Sequence, residues 1–221
     1  AAGTVQCCRI ALEIGFCFYF GGGMHHAQKD YGRGFCPVND IVVALRKLQD
    51  EGRIRSAWVI DTDAHKGDGT AALTAGDDTI RTLSIHMARG WPLDESPTDS
   101  GGRLRPSFIP SDIDIPVAPG EEGHYVARLK EGLQHLDRFP TPDLAVVVYG
   151  ADPYEKDALP STRELKLALD QLMARDRAVY DFLHRAGIPM AYLMAGGYGP
   201  HAWEVYTQFL LEVLPERLEK G

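Results

Sequence analysis

Short apolar runs that alternate with helix-spaced patterns predict an α/β chain: a single domain, a three-layer parallel β-sheet with helices on both faces. Three observations carry that expectation. The runs are continuously apolar and rich in aromatic and β-branched residues, as strands buried on both faces are. Between them, apolar residues recur at helical spacing. The 221 residues, 44% hydrophobic and 24% charged, are enough for one well-buried core.

The elements follow in order. "FCFYF" (16–20) reads as the first strand. Residues 37–51 carry Val38, Ile41, Val42, Leu45 and Leu48 on one helical stripe, with Pro37 acceptable near the start. "AWVID" (57–61) and "IRTLSIH" (80–86) are the next strands. The segment 87–120 is rich in Pro, Gly, Ser and Asp without clear periodicity, so it reads as a long functional or mobile loop. A helix over 121–136 is built on Tyr125, Leu129, Leu133 and Leu136, and "LAVVVYG" (144–150) is a strand. Residues 161–186 open with "STRE", a capping-box pattern, and carry Leu165, Leu169, Leu172, Val179 and Leu183. That helix should end near Gly187, with Pro189 beyond it, before the strand "PMAYLMAG" (189–196). There is no internal repeat and no low-complexity tract, so one domain over 1–221 is expected.

Charge and composition exclude several classes. A net charge of -8 without any basic run argues against non-specific nucleic-acid binding. No apolar run is long enough for a membrane span. The first residues, "AAGTVQCCRIALEIGFCFYF", have no basic stretch ahead of the apolar ones and do not read as a signal peptide. Cys7, Cys8, Cys17 and Cys36 lack paired CxxC spacing, which predicts reduced core thiols in a cytoplasmic protein.

In open parallel sheets ligands bind beyond the carboxyl ends of the strands, so the residues just after each run matter most. These are "GGGMHHA" (21–27), "TDAHKGDG" (62–69), "ADPYEKD" (151–157) and "GGYGPH" (196–201). Asp63 and His65 are two apart and project to one side on extended backbone. A carboxylate beside an imidazole suits a borderline metal such as zinc, and Asp152 can supply a third donor. Three protein ligands with an open position is the catalytic arrangement. His25 and His26 point in opposite directions on extended backbone, but in a turn after three glycines both can face a pocket. Asp61 and Asp68 can then orient the two rings and raise their basicity. Read alone, the pair is better taken as two exposed loop histidines, and it is Asp61 and Asp68 that shift the reading. Tyr198 either reaches inward from its glycine turn or is a surface residue. Asp157 is either a plain loop carboxylate or a supporting partner five residues from Asp152.

Taken together, "GGGMHHA", "GFCPVND" (34–40), "DTDAHKGDGT", "TLSIH" (82–86), "IPSDIDIPVAPG" (109–120), "GADPYEKD" (150–157) and "GGY" (196–198) resemble the zinc-dependent histone deacetylase family, which includes acetylpolyamine amidohydrolases. The segments occur in the family's order over nearly the whole chain. The resemblance implies an arginase/deacetylase-like fold and a metal-dependent deacetylase that hydrolyses N-acetyl or N-acyl amides of lysine side chains in proteins. It implies Asp63, His65 and Asp152 as zinc ligands, with iron(II) as the alternative metal. His25 and His26 correspond to the tandem catalytic histidines, paired with Asp61 and Asp68 respectively. His26 is the expected general base and His25 tunes the charge. Tyr198 corresponds to the residue that binds the developing oxyanion. Gly34, Phe35, Trp91, Leu159 and Gly196 correspond to the substrate channel. Backbone carbonyls of Asp61, Asp63, His65 and Ile85, with Ser84, resemble a structural potassium site. The implied partners are an acetylated lysine peptide or acetylated amine, with neither nucleic acid nor membrane.

The chain departs from the family pattern in places. Lys66 stands where a second histidine is frequent, "MAGGY" replaces the usual glycine run, and "DALP" (157–160) replaces a form ending in glycine. The family domain also starts upstream of the stretch matching residues 1–15, which predicts a domain incomplete at its amino terminus, exposed apolar surface and a homo-oligomer. The competing expectations are an amidohydrolase of acetylpolyamines or other small molecules, and a weakly active domain serving in protein interaction. A dinuclear manganese ureohydrolase would need more bridging carboxylates than these.

Overall fold

A computed structural model describes residues 1–218. Six parallel strands make one sheet: β1 (Phe16–Tyr19), β2 (Ala57–Asp61), β3 (Ile80–Met87), β4 (Ile113–Val117), β5 (Leu144–Tyr149) and β6 (Met190–Met194). Their spatial order is β1-β6-β5-β2-β3-β4. The helices α1 (Ala2–Ile14) and α2 (Asp40–Asp50) cover one face, and α4 (Tyr125–Leu136), α5 (Leu169–Arg185) and α6 (Ala202–Leu218) cover the other. The short α3 (Asp68–Thr74) follows β2 and packs beside α2 and β3.

The central strands are buried on both faces, and their residues alternate between two cores as a pleat requires. Ala57, Val59, Leu144, Val146 and Val148 meet α1 and α2, whereas Trp58, Ile60, Ala145, Val147 and Tyr149 meet the α4–α6 layer. The three-layer parallel architecture predicted from the sequence is therefore the one observed.

β2 and β5 are neighbours in space but are separated in the chain by β3 and β4. From their carboxyl ends the chain leaves toward opposite layers, to α3 beside α2 and to α5. Such a switch point opens a crevice, and the site described below lies there.

Several elements differ from the sequence reading. The predicted helix over 161–186 begins only at Leu169, because residues 161–168 are held in other ways. Thr162 donates to Asp157 Oδ1 at 3.2 Å, and the backbone around buried Leu167 bonds to Pro153 and Glu155. The "STRE" pattern therefore caps nothing, and the Gln171 side chain accepts from the Ala168 N–H at 3.0 Å instead. The helix predicted over 37–51 starts at Asp40, where the Asn39 side chain accepts from Val42 N–H at 3.0 Å, so Pro37 and Val38 precede it. The segment 87–120 contains β4, a one-side-paired edge strand that tolerates Pro116 opposite His86. α1, α3 and α6 were not anticipated. α1 closes on Gly15 at φ 82, whose N–H bonds to Ala11 O.

All four cysteines are free. No helix among the described residues is long and apolar enough to cross a membrane. β1 is the other edge strand and among the described residues pairs only with β6; Ile14, Phe20 and Leu214 lie exposed beside it.

Candidate active site

Asp63, His65 and Asp152 converge at the switch point, each buried, with one potential ligand atom apiece within 4.8 Å of the others. His65 Nδ1 lies 3.1 Å from both Asp63 Oδ1 and Asp152 Oδ2. Backbone amides hold the remaining carboxylate lone pairs. Ala64 N–H donates to Asp152 Oδ1 at 3.0 Å, and Gly196 N–H donates to Asp63 Oδ2 at 2.9 Å. Gly196 has no substitute: a Cβ there would sit 2.5 Å from both Asp152 Cγ and Asp63 Oδ2. Two carboxylates and one imidazole, preorganised and adjoining a cavity, are a donor set that fits a catalytic divalent metal such as zinc.

The electrostatics agree. Burial opposes charge on His65, yet Asp152 and Asp63 beside it raise its pKa to about 10. Burial and the Asp63 charge push Asp152 up to about 7. Burial also opposes ionisation of Asp63, but the neighbouring His25 and His65 hold its carboxyl below the usual range. The trio thus attracts positive charge.

The histidine pair faces the same place. The turn through Gly22 and Gly23 sets the two rings 3.9 Å apart, both buried. His25 Nδ1 bonds to Asp61 Oδ2 at 2.6 Å, and His26 Nδ1 bonds to Asp68 Oδ1 at 2.7 Å. His25 Nε2 lies 3.7 Å from Asp63 Oδ1, and both rings line a pocket of about 140 Å³. The backbone of 25–27 lies so close over α3 that Gly69 admits no side chain. Burial opposes charge on His25 too, but Asp61 and Asp63 raise its pKa to about 9. Burial and the positive His25 lower His26 to about 3 against the pull of Asp68. One ring of the pair therefore carries charge while the other stays neutral. Gln28 Nε2 (2.9 Å) and Arg33 Nη1 (3.5 Å) complete the shell of Asp68.

Above this floor, Gly34, Phe35, Trp91, Leu159, Ser161 and Tyr198, with His26 and His65, line a cavity of about 300 Å³. A deeper pocket of about 140 Å³ adjoins Asp63, Gly196 and Cys36. Trp91 packs edge-on against His26 (4.4 Å) and His65 (5.4 Å). Phe35 adopts φ 62, rare for a residue with a side chain, and leaves its ring 79% exposed at 5.9 Å from Tyr198. Burial and the Asp63 and Asp152 charges keep the Tyr198 phenol above its ordinary pKa, hence protonated. Asp157 stands away from the cluster of Asp63, His65 and Asp152. Its Oδ2 accepts from Tyr198 N–H at 2.6 Å and its Oδ1 from Leu159 N–H at 2.9 Å, so it shapes the loop that presents both.

Sequence reasoning missed two contributors. Ser161 Oγ lies 3.0 Å from His65 Nε2, and where it accepts from an Nε2–H it orients the ring with Nδ1 toward Asp63 and Asp152. Arg175 lies buried beneath the segments that carry Asp63 and Asp152. Ser161 sits in a stretch expected to be helical, and Arg175 on a helix read only for its leucines, so neither gave a local signal. Lys66, unassigned by sequence, is buried and pairs with Asp114 Oδ2 at 3.0 Å on β4. Ser84 lies opposite Asp61 in the β2–β3 ladder, and its Oγ is 3.4 Å from Gly67 N.

Comparison with known proteins is consistent with this geometry. Residues 1–214 match the histone deacetylase domain family. An uncharacterised protein of Picosynechococcus sp. is 32% identical over 210 residues, covering 95% of this chain and 65% of that protein. A solved histone deacetylase (HDAC) homologue complexed with SAHA superposes with TM-score 0.75 at 25% identity, covering 94% of this chain and 55% of that one. Acetylpolyamine aminohydrolase from Burkholderia pseudomallei shares the fold, with TM-score 0.72 at 22% identity over 94% of this chain and 59% of its own. The chain spans about half to two thirds of the length of the curated relatives it matches.

Proposed function

The chain belongs to the histone deacetylase domain family, and on that premise we propose that it is a zinc-dependent amidohydrolase that removes acetyl groups from lysine side chains. One observation carries the reading. A three-donor cluster and two histidine–aspartate pairs meet at the base of a cavity whose walls are Phe35, Trp91, Leu159 and Tyr198. Those walls are apolar or aromatic, which suits the uncharged methylene arm of an acyl-lysine.

Zinc held by Asp63, His65 and Asp152 would polarise the amide carbonyl and bring the pKa of a bound water down toward about 7. Neutral His26 takes the proton from the attacking water through Nε2, while Asp68 holds its ring and supports the imidazolium that forms. Burial, with the positive charge that His25 keeps beside Asp61, holds His26 unprotonated beforehand. The Tyr198 hydroxyl donates to the oxygen on which negative charge develops. His26 then returns its proton to the nitrogen of the departing amine. Iron(II) fits the same donors as the alternative metal. The carbonyls of Asp61, Asp63, His65 and Ile85, with Ser84, are the proposed potassium ligands, and the exposed apolar rim of β1 supports self-association.

The deciding experiment is acetate release by zinc-loaded protein from acetyl-lysine peptides and from acetylpolyamines, with Tyr198→Phe as the control. Peptide turnover that Tyr198→Phe lowers about 10²–10³-fold supports the reading. Turnover of acetylpolyamines alone would move the substrate to small amines. A folded, metal-loaded protein inactive on every substrate would remove the enzyme reading altogether.

A further inference from the structure

α5 places the side chain of Arg175, fully buried, under the carboxyl ends of β2 and β5. Its Nη1 donates to Thr62 O at 3.0 Å and to Gly150 O at 2.8 Å. Its Nε donates to Asp176 Oδ1 at 2.7 Å, and the other oxygen of Asp176 accepts from the Tyr149 hydroxyl at 2.5 Å. The guanidinium also lies over the Tyr149 ring at 5.1 Å. Its plane is therefore fixed from two sides before it reaches the carbonyls.

Those carbonyls are not ordinary ones. Thr62 immediately precedes Asp63, and Gly150 stands two residues before Asp152. The ladder between β2 and β5 runs only to Asp61 opposite Val148, followed by Thr62 N–H to Val148 O at 3.0 Å. Beyond that point Ala64 N–H donates to Asp152 Oδ1 at 3.0 Å, and the single Nη1 of Arg175 adds a second link by holding both peptides at once. The guanidinium suits this task because Asp176 holds it at Nε while Nη1 reaches both carbonyls, a planar geometry that a flexible ammonium would not keep; its Nη2 has no hydrogen-bond partner among the described residues. Burying a guanidinium is costly unless its partners are well placed, and an apolar residue would fill the space at less cost in desolvation.

We infer that Arg175 is a positioning residue for the metal centre. By clamping Thr62 O and Gly150 O it sets the separation of the peptides that carry Asp63 and Asp152, without touching substrate or metal. The inference rests on the metal-dependent reading above.

The test measures metal binding without any substrate. Wild-type protein, Arg175→Lys, Arg175→Met and the control Leu183→Ala, a core residue of the same helix, are titrated with zinc and cobalt(II) against a chelating indicator. The visible cobalt spectrum is recorded alongside thermal stability. Leu183→Ala should lower the melting temperature but leave metal affinity and cobalt bands at their wild-type values. Arg175→Lys keeps the buried charge yet loses the planar guanidinium, and should weaken metal affinity about 10–100-fold with shifted cobalt bands, as loss of a supporting partner does. If neither Arg175 variant folds, Asp176→Asn, which loosens the tether and leaves the arginine in place, decides by the same two readouts. A folded variant with wild-type affinity and an unchanged cobalt spectrum overturns the inference. A wild-type chain that binds neither metal would overturn the metal-dependent reading itself, so the two failures are distinct.

Discussion

The floor of the site and its walls are built on different principles. On the floor, at the ends of β2 and β5, every donor oxygen named above is held by a backbone amide or a ring nitrogen, and the residues are buried. The walls are apolar contacts between loops: Phe35 is mostly exposed, and Leu159 and Tyr198 depend on the two oxygens of Asp157 for their loop conformation. Strand ends inside a sheet cannot shift without disturbing the core, whereas loops over it can. On the proposed reading, the difference teaches that the floor determines whether chemistry occurs, and the walls determine on what.

Substitutions can break or sharpen that contrast. Asp152→Asn removes a charged donor from the floor and should abolish zinc uptake and at least about 10³-fold of the deacetylation rate, worth several kcal/mol; plasma-emission metal analysis together with acetate release would show it. Next comes His26→Ala, which should cost about 10²–10⁴-fold in kcat while metal content stays at the wild-type level. Normal kcat in that variant would shift the proton-transfer role to His25. Ser161→Ala lies where floor meets wall. It frees the second nitrogen of His65, and zinc affinity should fall about 10-fold, with Ser161→Thr retaining it. The smallest effect belongs to the wall. Leu159→Ala should raise KM for a long-chain acyl-lysine by about 10-fold, close to 1.4 kcal/mol, and leave kcat nearly unchanged. Should Leu159→Ala cost as much in kcat as His26→Ala, the division of labour would be wrong.

The legibility of the sequence followed the same division. The buried strands were readable because both faces are apolar, as in "AWVID" and "LAVVVYG". The acidic and histidine-rich segments at their ends were readable because parallel sheets collect polar chemistry there. What escaped was whatever depends on partners distant in sequence. Thr162 and Leu167 bond to residues in the preceding loop, so a helical pattern over 161–168 remained unhelical. Pro116 and the charges around it disguised β4, which pairs on one side only. Asp157 was singled out as a supporting residue, but its contact is with the backbone of Tyr198, forty-one positions away, which no local pattern encodes. Lys66 was visible as an anomaly, and only the fold shows Asp114 as its partner.

The segment from Gly196 to Tyr198 is tied at both ends, by Asp63 Oδ2 on one amide and Asp157 Oδ2 on the other. On the proposed reading, the peptide that presents the Tyr198 phenol is thus also bonded to Asp63, a proposed metal ligand. Occupancy of the metal site and affinity for a transition-state mimic should therefore be reciprocal quantities: each ligand stiffens the peptide the other needs, and each lowers the other's dissociation constant by the same factor.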